Sequence, residues 1–291
     1  MKIHFILIIA LAFSFCTDTK KQTQQTTAPS NNVEIKKANP LFSLVPNDQS
    51  GINFTNFNKE NNDYNYYSYE YFYNGGGVAS ADFNNDGLLD IVFTANMANN
   101  RLYINKGNFT FQDVTQTANI NSNTRDWCTG VTIVDINNDG YQDIFISRSG
   151  WFEGDQKAAL SNLLFVNNKD LTFTESANAY GFTDLSRSNQ ACFFDMDNDG
   201  DLDMYLINNP KEHTKTREYK NGDIRLVDLN STYTDSDKLY QNNNGTYVDI
   251  TKKAGLVNSD YGLGIIAADL NNDGYQDLYI ANDYSKPWVL D

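Results

Sequence analysis

The chain has 291 residues, 40% hydrophobic and 13% aromatic, enough apolar material for one large folded body or two ordinary ones and too much for a disordered chain. Its 37 acidic against 22 basic residues leave a net charge of −15. That balance excludes nucleic acid, whose binding rests on Lys and Arg neutralising phosphate, and equally an anionic membrane surface; it suits a protein whose carboxylates sit beside cations.

In chain order, Lys2 supplies a positive start and Phe5 to Phe15 an apolar run of signal-peptide length. The run is shorter than the roughly 20 residues of a membrane span. Cys16 follows it directly, so residues 1–16 resemble a bacterial lipoprotein signal, in which that cysteine is lipidated, although Phe15 stands where a small residue is usual. Lipidation of Cys16 is expected, with an ordinary cleaved signal or a retained anchor as alternatives. The chain is thus expected to be exported to a bacterial cell envelope, as an outer-membrane lipoprotein facing the periplasm or the cell surface. Residues 17–40 are Thr, Gln, Asn and Lys with hardly an apolar side chain, and read as a flexible tether. Of the other cysteines, Cys128 and Cys192, two buried free thiols are expected rather than a disulfide scaffold.

From Leu41 onward two patterns alternate. The first is a nine-residue acidic loop: DFNNDGLLD from Asp82, DINNDGYQD from Asp135, DMDNDGDLD from Asp195 and DLNNDGYQD from Asp269. The second is an aromatic hairpin with an Asn/Gly turn: LYINKGNFTFQDVT from Leu102, LLFVNNKDLTFTES from Leu163 and LYQNNNGTYVDIT from Leu239. Strands are expected before the loops at Val78–Ala81, Val131–Val134, Ala191–Phe194 and Ile265–Ala268. After the loops they are expected at Ile91–Phe93, Ile144–Ile146, Met204–Leu206 and Leu278–Ile280. These runs are too apolar to alternate, which implies burial on both faces between neighbouring sheets.

Each unit therefore holds about four strands in roughly 50 to 75 residues, the size of a propeller blade with insertions. The fold class is all-β, a propeller of four-stranded blades over residues 41–291, about four present and the last unfinished at the C-terminus. FSLVPNDQSGI from Phe42 is similar to FQDVTQTANI and YVDITKKAGL, so Leu41 to Phe57 is expected to supply a strand closing the last blade. The polar stretch between Asn209 and Asp237 reads as a surface excursion, and the tyrosines of Asn61 to Gly77 as an aromatic strand and glycine turn of the first blade, or a glycan or peptide surface.

The loops carry hard oxygen donors at positions 1, 3, 5 and 9 and a glycine at position 6, the donor set of a Ca²⁺ cage. The expected ligands are Asp82, Asn84, Asp86 and Asp90; Asp135, Asn137, Asp139 and Asp143; Asp195, Asp197, Asp199 and Asp203; and Asp269, Asn271, Asp273 and Asp277. A backbone carbonyl at position 7 is added in each loop, from Leu88, Tyr141, Asp201 and Tyr275. An EF-hand is excluded, because its twelfth residue is a bidentate Glu, and here that place holds Phe93, Ile146, Leu206 and Ile280. Asp, Asn and Gly are also ordinary turn residues. Repetition of Asp at positions 1, 5 and 9 in four loops favours metal over turn chemistry, because crowded carboxylates repel until a divalent ion reverses the penalty.

The loops, their flanking strands and hairpins such as LYINKGNFTF resemble the FG-GAP or VCBS repeats of integrin α-subunit propellers. YEYFYNGGGVASADFNNDGLLDIVFTANM, from Tyr69 to Met97, further resembles bacterial VCBS-repeat lipoproteins related to ASPIC/UnbV-domain and cartilage acidic proteins. The resemblance implies a seven-bladed, exported propeller with about four Ca²⁺ sites here. The mature chain's histidine is His213 alone, which gives a zinc cluster or a Ser-His-Asp triad little to draw on. The expectation is a non-enzymatic binding or adhesion module for a glycan or protein ligand, joined to the membrane only through its lipid. The alternative is the propeller domain of a calcium-dependent polysaccharide-degrading enzyme.

Overall fold

The short apolar runs become strands. In the computed structural model, the described residues are 40–120, 126–150, 158–210, 217–220, 223–226, 236–256, 258, 260–283 and 287–291. The export signal, Cys16, nearly all of the tether and His213 lie outside them. The chain divides into two units, Met1–Leu44 and Val45–Asp291. In the first, residues 40–44 are exposed and carry neither helix nor strand. The second holds all of the described helices and strands.

A single-turn helix, α1 (Asn47–Ser50), precedes the first blade, β1 (Val78–Ala81), β2 (Asp90–Phe93), β3 (Arg101–Asn105) and β4 (Phe111–Asp113). The second blade is β5 (Trp127–Val134), β6 (Asp143–Ser149), β7 (Leu163–Asn167) and β8 (Phe173–Glu175), followed by the single turn α2 (Ala177–Tyr180). The third begins with β9 (Arg187–Phe194) and β10 (Asp203–Asn209), makes an excursion through the hairpin β11 (Arg217–Lys220) and β12 (Asp223–Leu226), and ends with β13 (Lys238–Asn242) and β14 (Tyr247–Asp249). The last sheet is β15 (Tyr261–Ala268), β16 (Asp277–Asp283) and β17 (Trp288–Leu290).

Every pairing is antiparallel between strands adjacent in the blade order, giving three four-stranded sheets, the three-stranded last sheet and the separate β11–β12 hairpin. These are propeller blades. The strands flanking the acidic loops run longer than their apolar cores, since polar residues such as Ser147 and Asn208 continue the ladder.

The core lies between the blades. Ile144 and Ile146 of β6 pack with Val92, Leu102 and Ile104 of the first blade, while the intervening Phe145 packs with Ala191 and Met204 of the third. On β10, Met204 and Leu206 face back towards the second blade, and Tyr205 and Ile207 face forward to Leu278 and Ile280. Alternate side chains thus serve different neighbours, and β6 and β10 are buried along their whole length. That is why these runs show no alternation of apolar and polar residues.

Two expectations are corrected. Phe42 to Ile52 forms no strand and closes no final blade; α1 ends at Gly51, whose left-handed φ of 75° turns the chain onto Phe111 of β4. The likeness of this segment to the repeat tails is structural nonetheless, because α2 ends at Gly181 and meets Tyr247 of β14 in the same way. Nor does Asn61 to Gly77 form a strand. Its sequence is a series of turns, held by Asn61 and Asn65 side chains that accept backbone N–H groups. Tyr69, Tyr71 and Phe72 pack with Trp127, Leu160 and Tyr261 as a separate aromatic cluster. Cys128 is buried and Cys192 only partly so, and neither is in a disulfide among the described residues.

Candidate metal centres in the blade loops

Each acidic loop joins the first and second strands of its blade. The residue before the loop's first Asp pairs with the ninth position: Ala81 with Asp90, Val134 with Asp143, Phe194 with Asp203 and Ala268 with Asp277. The enclosed residues curl through left-handed conformations at position 4 (Asn85, Asn138, Asn198 and Asn272, φ 53–61°) and at the following-but-one glycine (Gly87, Gly140, Gly200 and Gly274, φ 83–93°). Asn and Gly are the residues that adopt this conformation with least strain.

The curl brings the expected ligands at positions 1, 3 and 5 together; among the described residues the position-9 carboxylate comes within 4.8 Å of two others in the third loop alone. At position 1 one carboxylate oxygen accepts the N–H of position 5 and the other that of the glycine, in all four loops, at 2.7–3.1 Å. The position-5 carboxylates of Asp86, Asp139, Asp199 and Asp273 accept the N–H of Leu88, Tyr141, Asp201 and Tyr275. In three loops the position-3 amide (Asn84, Asn137 or Asn271) donates to the position-5 carboxylate at 2.9–3.0 Å. A carboxylate has about four acceptor sites, so two N–H bonds leave Asp82, Asp135, Asp195 and Asp269 with capacity for a cation.

The ninth residue has a second task. Asp90, Asp143, Asp203 and Asp277 are buried. Their Oδ2 accepts the N–H of position 2 (Phe83, Ile136, Met196 or Leu270). In the first three blades Oδ1 accepts the N–H at the end of the third strand, from Asn105, Asn167 or Asn242. The same three asparagines donate their side-chain amides to the carbonyls of Leu89, Gln142 and Leu202 at position 8. Reading for metal ligands overlooks them, although each sits at one place in the hairpin repeat (LYIN, LFVN, LYQN). Burial raises the carboxyl pKa of Asp90 and Asp203 and pushes that of Asp143 up to about 6, with the charges of Asp139 and Asp135 adding to it.

The third loop is the most acidic. Carboxylate oxygens of Asp195, Asp197 and Asp203 lie within 4.8 Å of one another. Asp201 Oδ1 is buried, and the Asp201 pKa is raised by desolvation first, then by the charge of Asp199 and a side-chain hydrogen bond with it, with Asp197 and Asp195 adding. Of the loop carboxylates, among the described residues, Asp139 alone has an ion-pair partner, Lys169 Nζ at 3.3 Å. Five carboxylates in one nine-residue loop fit a divalent cation held by oxygen donors.

The loops of neighbouring blades lie side by side, for Asn85 donates to the Gly140 carbonyl at 3.1 Å and Asn198 to that of Gly274 at 3.0 Å. Among known proteins, the FG-GAP-like repeat family matches residues 82–146 and 222–280. The first match spans the first two loops and the second contains the β13–β14 hairpin and the fourth loop. No curated protein matches the chain. FG-GAP-like repeats and antiparallel four-stranded sheets fit an integrin-like propeller.

Proposed function

We propose that this chain is a calcium-stabilised propeller module of the bacterial cell envelope, anchored through Cys16, that binds a glycan or protein ligand without turning it over. The observation carrying the metal reading is the third loop, where carboxylate oxygens of Asp195, Asp197 and Asp203 lie within 4.8 Å of one another. Calcium suits four oxygen-lined loops better than Mg²⁺, which dehydrates reluctantly and is seldom held by protein alone. The loop carboxylates are engaged in shaping the loops and holding the ion, which argues for binding over catalysis.

Calcium at 100 times its dissociation constant adds about 2.7 kcal/mol for one site, and each kcal/mol shifts the melting temperature of a chain this size by about 2–4 °C. Differential scanning calorimetry is therefore expected to show a rise of several degrees on adding calcium to chelator-treated protein, with magnesium giving much less. Equal melting temperatures in calcium and in chelator contradict the proposal. Turnover of a polysaccharide by the calcium-loaded chain would replace the binding module with an enzyme's propeller domain.

A further inference from the structure

The inner strands β1, β5, β9 and β15 begin at the end opposite the acidic loops. There the strands approach closely because glycine leaves room: a Cβ on Gly77 would lie 2.9 Å from the Val131 nitrogen, and one on Gly130 only 2.5 Å from the Asn189 carbonyl oxygen. Cross-blade hydrogen bonds fix the approach, from Thr94 Oγ1 to the Thr129 carbonyl, from Thr129 Oγ1 to the Ser188 carbonyl and from Asn189 Nδ2 to the Gly262 carbonyl. Over these ends lies a cavity of about 260 Å³, lined by Tyr69, Tyr71, Trp127, Asn74, Asn189 and Gln190, with backbone from Gly75 to Gly77.

Its chemistry is unlike that of the rest of the chain. None of the described residues lining it is charged, in a protein of net charge −15. An anion would find no charged side chain in the lining to pair with, only the more distant influence of Arg187 on Tyr69, and would meet the repulsive field of the acidic chain, whereas a cation is better held by the loops at the other end. The aromatic wall is fixed in advance: Tyr69 meets Trp127 edge-on at 5.5 Å and Tyr71 at 6.1 Å, and Tyr69 Oη donates to Ser149 Oγ at 3.0 Å. The rings are already packed, with Trp127, Tyr69 and Tyr71 only 1%, 4% and 7% exposed, so they form a rigid wall that costs little ordering entropy on binding. Amide side chains both donate and accept, as vicinal hydroxyls require; Asn189, whose amide nitrogen is engaged with Gly262, presents its oxygen as acceptor. The volume lies just below the roughly 300–1,000 Å³ of pockets for drug-sized ligands, which suits one ring and not an extended peptide.

We propose that this cavity binds one neutral sugar residue, the unit by which the module engages a glycan; the inference rests on the proposed binding function. Saturation-transfer NMR on the full chain in saturating calcium, with glucose, galactose, mannose, glucuronate, galacturonate and a neutral tripeptide as probes, tests it. At least one neutral hexose is expected to receive saturation, with the uronates and the tripeptide receiving little. Gln190→Ala is expected to raise the dissociation constant about fivefold, the loss of one or two hydrogen bonds, without moving the melting temperature. Tyr71→Leu is expected to abolish binding, and Gln190→Ala decides the matter if that variant does not fold. Binding of no neutral hexose, equal binding of uronates or tripeptide, or an unchanged constant in Gln190→Ala overturns the inference. A calcium titration of the same sample separates the two readings. Calcium binding without sugar binding removes the cavity inference alone, and absence of calcium binding removes the metal reading whatever the sugars do.

Discussion

Three side chains just ahead of the third strand tie off the end of the second in successive blades. Asn100 accepts the Ala95 N–H at 2.9 Å, Asn162 the Arg148 N–H at 2.9 Å, and Asp237 the Asn208 N–H at 2.7 Å. In the third blade this residue is a carboxylate, buried, and it also accepts from Tyr205 Oη at 3.0 Å and Asn258 Nδ2 at 2.7 Å. Burial pushes its pKa up to about 7, over the opposing hydrogen bonds and with help from the charge of Asp260. An unfolded Asp titrates near 3.9, about three units lower. Between those values the folded state holds more protons, so this group makes stability fall as pH rises from about 4 to 7. In Asp237→Asn that contribution vanishes: the variant's stability relative to the parent improves from pH 5 to pH 7, by at most about 1.4 kcal/mol per unit. Urea unfolding of both proteins at several pH values in saturating calcium measures it, and a difference that stays constant with pH contradicts the assignment. The position is visible in the sequence, as NRLYIN, NLLFVN and DKLYQN. Its burial is not, because that depends on Tyr205 and Asn258 arriving from either side.

At the scale of elements, α1 and the tails of the first two blades each lock onto the fourth strand of the blade that follows. Gly51 and Gly181 stand in left-handed conformations where a Cβ would lie 2.5 Å from the carbonyl oxygens of Phe111 and Tyr247. Asn119, also left-handed, occupies the matching place between the first two blades, where the Ala118 carbonyl accepts the Phe173 N–H. Gly255 has the same backbone, with nothing within 4 Å of its Cβ position. Substitution by Ala at Gly255 is expected to cost about 1–2 kcal/mol from the left-handed backbone alone. At Gly181 the overlap with Tyr247 is expected to add about 1–3 kcal/mol. Denaturant midpoints of Gly255→Ala and Gly181→Ala compare the two, and equal losses would deny the docking. The tails were legible in part as repeats, since SGI ahead of the first blade is similar to ANI and AGL after the hairpins. That they form helical turns and docking corners, and that the first belongs against β4, was not legible, because a short polar segment with one apolar residue has no period to read. The acidic loops and aromatic hairpins were legible for the opposite reason: their turn chemistry is local and repeated four and three times.

Across the whole molecule the two ends of the inner strands carry opposite chemistry. The C-terminal ends lead into loops crowded with carboxylates, and the N-terminal ends open on an uncharged aromatic cavity. The blade cores between them are apolar, with Ile144, Ile146, Met204 and Leu206 each at most 1% exposed, so what the loops bind acts first on the scaffold. Sequence alone exposed the loop end through its repetition. The cavity end was legible only in part: the tyrosines of Asn61 to Gly77 stood out as a surface for a glycan or peptide, but the other lining residues come from three separate inner strands, and no spacing in the chain relates them. The central claim is that these loops are calcium sites, and counting bound calcium by equilibrium dialysis of the chelator-stripped chain tests it most directly. The account predicts about four ions per chain, falling by one in the double variant Asp195→Asn, Asp203→Asn; fewer than one ion per chain, or a count unchanged in that variant, would contradict it.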